Sequence, residues 1–347
     1  MNITFLRSLL LGACCAVPLV AVAGDIDIIE SPTPFRVDIP DMREGWGFLV
    51  EGAAIRGYTN DLGYVYDLLV NSVTEGIYTT NTLDAIFENV DPQYAFDLRV
   101  GVDYTLADYA NVLNLSYEHL FNNPTNDSFN DNSLAIATGA LTQKLDAITL
   151  SSEQHILIGS YWETTFTGGA RFAHLSQDLS ATLITYGGTF NTTETQTSLL
   201  TAQFNGVGPL LGLGTLFHLN NSFGIGAELQ GALLIGKNKI SQQTGTFTAS
   251  SFHIGENASF INAEDVYSIA PELFAKLYGN YFYRFINGME VLVEAGWRVD
   301  QFLSVRVLDN ALFANNPSST VILPGLDINK NNDIGFSGPY LMAHIKL

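Results

Sequence analysis

Polar and charged residues recur at even spacing along several stretches of this chain, and its candidate chemistry begins there. Asp97, Arg99 and Asp103 follow this spacing, as do Glu228 with Gln230, Glu272 with Lys276, and Glu290 with Glu294 and Arg298. In a β-strand such residues project from one face. Asn114, Glu118 and Arg171 sit in the same kind of pattern. Carboxylates and guanidinium groups gathered on one surface do one of two things. They select ions along a watery path, or they pair with one another and brace the walls that carry them. Acidic members outnumber basic ones, so an open path would show a weak preference for cations.

Other chemistries find less support. His119, His155, His174, His218, His253 and His344 have no metal-ligand spacing, and His119, His174 and His218 fall near strand ends as turn or interface residues. Gly206, Gly208, Gly212 and Gly214 lack the spacing of a phosphate loop and are expected to make room or permit bending within a strand. Asp327, Asn329, Asn331 and Asp333 begin like a calcium loop. Asn332 stands where that loop needs glycine, however, and Gly338 where it needs a closing acid. No serine lies in a recognisable nucleophile context. The expectation is a protein without enzymatic activity, metal or cofactor.

The elements that must hold these residues are strands. From Gln93 to Leu106, Tyr94, Phe96, Leu98, Val100, Val102, Tyr104 and Leu106 alternate with Ala95, Asp97, Arg99, Gly101, Asp103 and Thr105. A helix would scatter that pattern around its axis. Leu113, Leu115 and Tyr117 continue it after a short link at 107–110. A second hairpin runs through Val207, Leu211, Leu213 and Phe217, turns at Asn220-Asn221-Ser222, and returns through Phe223, Ile225, Leu229, Leu233 and Ile235. A third joins Tyr267–Leu277 to Met289–Val299 through Asn287-Gly288, the preferred pair for a two-residue turn. Weaker strands are expected at 46–58, 144–152, 166–174 and 334–347, giving about ten in all, within a range of 8–14. Long polar loops are expected near 58–92, 121–141, 177–198, 237–265 and 308–332. The first of these should carry a small helix on Leu83, Ile86, Phe87 and Val90.

Composition suits this reading. The chain is 47% hydrophobic but only 14% charged, against ~25% charged in soluble domains. After the first residues no apolar run is long enough for a transmembrane helix. Apolar residues dispersed by alternation, with short turns on one side and long loops on the other, predict an all-β, antiparallel transmembrane barrel. Aromatic residues near strand ends (Tyr94, Phe96, Tyr104, Tyr109, Tyr117, Phe217, Phe223, Tyr267 and Tyr281) suit interfacial girdles. The net charge of −20 argues against nucleic acid as a partner.

Residues 1–23 read as an export signal: Arg7, an apolar stretch from Leu9 to Val22, and Ala21-Val22-Ala23 before Gly24. Leu11-Gly12-Ala13-Cys14 also resembles a lipoprotein box, the lesser reading. Cleavage after Ala23 would remove Cys14 and Cys15, both cysteines of the chain. A periplasmic segment is then expected at 24–45 and the barrel at 46–347.

Several blocks resemble the Legionella-type major outer membrane proteins. They are Val90-Asp91-Pro92-Gln93-Tyr94 leading into Leu98-Arg99-Val100-Gly101-Val102-Asp103-Tyr104, then Gly168-Gly169-Ala170-Arg171-Phe172-Ala173. Phe204-Asn205-Gly206-Val207-Gly208-Pro209-Leu210-Leu211-Gly212 is the most specific, and Gly338-Pro339-Tyr340-Leu341 lies near the end. The resemblance implies an integral outer-membrane porin that passes small solutes or ions and exposes a surface that host factors contact. Family members can carry mature cysteines that this chain would lack, and it ends in Leu347 where many outer-membrane proteins end in an aromatic residue. Expected partners are outer-membrane lipid and lipopolysaccharide, the barrel assembly machinery, and further copies of the chain. The alternative function is a closed structural or adhesive barrel, since ~8–10 strands leave an interior largely filled by side chains.

Overall fold

The computed structural model describes residues 37–38, 40, 42–59, 63–75, 78–106, 110–121, 124–131, 135–159, 161–187, 192–249, 254–262, 265–286, 288–306, 313–315 and 331–347. The export signal, most of the segment expected at 24–45, Tyr109, His253, Asn287, and Asp327 with Asn329 lie outside the described residues. In chain order the strands are β1 (Val37–Asp38), β2 (Gly45–Thr59), β3 (Gly63–Glu75), β4 (Tyr78–Asn89), β5 (Tyr94–Leu106), β6 (Asn111–Leu120), β7 (Thr125–Asp131) and β8 (Ala135–Ile158). They continue with β9 (Trp162–Gly187), β10 (Thr192–His218), β11 (Phe223–Ala249), β12 (Ile254–Asn262), β13 (Val266–Arg284), β14 (Glu290–Arg306), β15 (Phe313–Asn315) and β16 (Asn331–Lys346).

Strands β2, β5, β6, β8, β9, β10, β11, β13, β14 and β16 pair in one antiparallel circuit that closes on itself. These are the ten strands expected from the alternation. A path of paired residues that leaves β9 at Trp162 runs through Phe217, Ile225, Gly279, Ala295 and Leu341. It continues through Gly52, Leu98, His119 and Asp146 and re-enters β9 at His174. That offset is the stagger that tilts the strands of a closed barrel.

The molecule is apolar outside and charged inside. Leu211 is 72% exposed while Arg298 is 2% exposed. Such an arrangement is stable only where the outer solvent is hydrocarbon and every backbone group is paired within the ring. At one end of the strands an aromatic belt includes Trp46 beside Tyr104, Trp162 beside Phe217, and Phe223 beside Tyr281, with ring centroids 5.0, 5.2 and 4.9 Å apart. The connections at that end are short, as expected for the periplasmic side. Gly159 turns β8 into β9 at φ +67°, and Asn220 accepts the backbone N–H groups of Ser222 and Phe223 at 2.8 and 2.9 Å.

Three local expectations are corrected. The helix on Leu83–Val90 is instead strand β4, whose Leu83 and Phe87 stand opposite Val70 and Tyr66 of β3. Pairing with a partner strand rich in β-branched residues overrides the local helical spacing. Much of the sequence read as loop is also strand. β7 occupies 125–131, and β9, β10 and β11 continue far beyond the apolar band in Ser-, Thr- and Gln-rich sequence. Polar residues on both faces conceal such extensions from a periodicity argument. Finally, the turn at Asn287-Gly288 is a three-residue connection: Phe285 N–H bonds Met289 C=O, Gly288 N–H bonds Phe285 C=O, and Gly288 lies at φ +87°. A turn closed by a residue in the left-handed region is the usual three-residue alternative.

Candidate functional site in the barrel lumen

Because strand parity is fixed by the lipid-facing residues, every second residue points into the ring. The structure places all the predicted inward residues there, and they divide into two levels. Asp97, Glu118, Arg171, Glu272, Lys276, Glu294 and Arg298 are buried. Arg99, Asp103, Asn114, Glu228, Gln230 and Glu290 line a cavity of about 530 Å³, to which Lys276 and Glu294 also contribute.

The buried level is an ionic layer that crosses the lumen. Arg298 of β14 reaches Glu51 of β2 at 2.6 Å and Glu118 of β6 at 2.8 Å, and also binds Asp97 of β5. Arg171 of β9 reaches Glu118 at 3.2 Å and Asp300 at 3.3 Å. Its Nε lies 2.7 Å from Glu272 Oε1 without hydrogen-bond alignment, a close ionic contact. Lys276 of β13 reaches Glu51 at 2.7 Å, with its Nζ 4.7 Å from the Tyr340 ring centroid. Tyr340 donates in turn to Glu294 at 2.5 Å. Carboxylates outnumber cations here: Asp97 Oδ1, Asp300 Oδ1 and Glu272 Oε2 have no hydrogen-bond partner.

An apolar layer covers this one on the outer side. Two or four residues further out on the same strands stand Ile55, Leu120, Leu175 and Phe302, packed with Leu145, Phe204, Leu234 and Phe336. Gly206 and Gly236 face each other across β10 and β11, and a Cβ on either would strike the Phe204 ring. The absent side chains are what let that ring lie against the wall. Beside Ile55 and Leu120 of this layer, against Gly57 and Gln143, lies a separate small cavity of about 10 Å³, which is room for about one water.

The 530 Å³ cavity lies on the other side of the ionic layer, toward the short turns. Glu163 bridges two histidines there, with Oε1 2.7 Å from His155 Nδ1 and Oε2 3.1 Å from His218 Nε2. Asp103 lies 2.7 Å from His344 Nε2. His218 therefore faces the lumen as part of a carboxylate pair, whereas His119 and His174 lie on the outer wall. Among the described residues no His, Cys, Asp or Glu group has metal-binding geometry.

Sequence reasoning missed Glu51, Asp300, Glu153 and Glu163. Parity with Phe48 and Val50 marks Glu51 as inward, and parity with Trp297 marks Asp300. Glu153 and Glu163 lie where β8 and β9 carry few apolar residues, so their alternation is faint.

Residues 38–347 match the family model described as Legionella pneumophila major outer membrane protein precursor. No curated protein matches the chain. Among solved structures, the outer membrane protease OmpT from Escherichia coli is similar at 10% identity over 88% of this chain and 98% of that one, with a TM-score of 0.42. A Pseudomonas aeruginosa FadL homologue gives 9% identity over 87% and 90%, with a TM-score of 0.29. Ail, the attachment invasion locus protein of Yersinia pestis, gives 13% over 60% and 99%, with a TM-score of 0.23.

Proposed function

The chain belongs to the Legionella pneumophila major outer membrane protein family and is an integral outer-membrane β-barrel; from that premise we propose that it rests closed. In this reading the barrel is a rigid scaffold that displays its tall hairpins outside the cell. The observation that carries it is the pair of stacked layers across the lumen. Arg298 and Arg171 bind carboxylates from opposite walls, and Phe204, Phe302 and Leu145 fill the space above them. A hydrated ion would have to break buried charge pairs and then cross an apolar constriction. Recording the purified full chain in planar lipid bilayers tests this directly. Insertions that add no current above the lipid baseline are expected, and a steady ohmic step at each insertion would overturn the reading.

A second reading is supported by the periplasmic cavity, which is large and rich in acids: Asp103, Glu153, Glu163, Glu228 and Glu290. Here the protein is a porin whose ionic layer parts to pass small solutes or ions, with a weak preference for cations. A potassium chloride gradient across the bilayer separates the two readings. Openings whose reversal potential lies on the cation side support the porin, and silence supports the closed barrel.

A further inference from the structure

Cations are scarce in this chain, whose net charge is −20, yet three lysines gather on one sector of the outer wall. Ile148, Phe172, Val207 and Ile235 stand side by side on β8, β9, β10 and β11, all exposed toward lipid. The next outward rung is Asp146, His174, Asn205 and Lys237, and the one above it is Lys144, Ser176, Gln203 and Lys239. The apolar surface of these strands therefore ends where the lysines begin, at the depth of the outer-leaflet head groups.

Two of the acids beside them, Asp146 and Asp265, are already engaged, and a third, Asp178, stands one rung further out between Thr142 and Thr201. Tyr117 donates to Asp146 at 2.7 Å, and His119 Nδ1 lies 2.7 Å from the same oxygen. Asp265 holds Lys237 at 2.5 Å. Lys144 and Lys239 are exposed and form no ion pair among the described residues. They are three strand steps apart, about 14 Å at the ~4.8 Å spacing of paired strands. Elsewhere on this rim Tyr94, Gln301 and Ser337 supply no cationic side chain, and Arg56 is bound to Asp91.

We propose that this sector of β8–β11 is a binding site for a diphosphorylated outer-leaflet glycolipid. Lys144 and Lys239 each take one phosphate of its sugar head, Gln203 between them meets a hydroxyl, and the acyl chains lie on the Ile148–Ile235 rung. A lipid is favoured over a free anion because only one polar rung separates the Lys144–Lys239 rung from the apolar one, so one amphipathic molecule can reach both. The site is independent of whether the lumen opens.

Native mass spectrometry of the full chain in detergent micelles, titrated with diphosphoryl lipid A, tests the site. The double variant K144Q/K239Q is expected to bind about 25-fold more weakly, at about fivefold per lysine near a membrane surface. The heat-dependent shift of the folded barrel on a gel should be unchanged, and K144R/K239R should bind like the parent. The unaltered protein should prefer diphosphoryl over monophosphoryl lipid A, a comparison that needs no variant. Equal retention by K144Q/K239Q, equal binding of the monophosphoryl form or of phosphatidylglycerol, or displacement by millimolar inorganic phosphate would each overturn the proposal.

Discussion

Replacing Arg298 with methionine should convert the ionic layer from a brace into a fault. The guanidinium is 2% exposed and holds three carboxylates from three different strands: Glu51, Asp97 and Glu118. Methionine keeps much of the apolar stem, so the loss is mainly electrostatic. Stranding a buried charge by removing its partner costs about 3–5 kcal/mol. Lys276 still reaches Glu51, and Arg171 still reaches Glu118. These residual pairs place the expected loss near the lower end, about 3 kcal/mol. Equilibrium urea unfolding in micelles, followed by tryptophan emission, measures it. The same variant should admit water and give flickering current in planar bilayers, where the parent is silent. Adding Asp97→Asn removes the one carboxylate whose ion pair was with Arg298 alone and should recover part of the stability, a coupling that a double-mutant cycle isolates. An R298M protein within about 1 kcal/mol of the parent and equally silent would refute the brace.

Gly206→Val should displace the Phe204 ring and destabilise the barrel by about 1–3 kcal/mol, read as a lower urea midpoint. Cysteine introduced at Glu228 should react with a small charged thiol reagent supplied from the periplasmic side, while cysteine at Phe204 should stay unlabelled. Fast labelling at Phe204 would mean that the apolar layer is not sealed. In lipid vesicles Trp46 and Trp162 should be quenched most by head-group nitroxides and Trp297 by mid-chain ones, each read in a variant carrying that tryptophan alone. An epitope inserted between Gly187 and Thr192 should be stained on intact cells, and one inserted at Asn221 only after the outer membrane is opened. The reverse pattern would invert the assigned sidedness.

The fold was legible wherever the two faces of a strand meet different solvents. In β5, β10 and β11 lipid demands apolar residues on one face, while the lumen demands small or polar ones on the other, so period two survives in the sequence. Beyond the lipid, in 176–187, 192–203 and 241–249, water meets the outer face and the pattern dissolves, although the same strands continue. The segment Leu83–Val90 was misread for a different reason. Its partner lies in β3, and spacing within the segment carries no trace of that pairing.

Which residues face inward can be read from the chain alone, because parity along a strand is a local property. Parity names Arg298, Arg171, Glu118 and Asp97 as members of one inner surface without saying that they touch. Their contact comes from the closed ring. Residues 180 or more positions apart meet because pairing register and stagger bring β2, β5, β6 and β14 to one depth across a narrow lumen. The choice between passing ions and pairing charges depends on distances across that lumen, and no spacing along the chain encodes them.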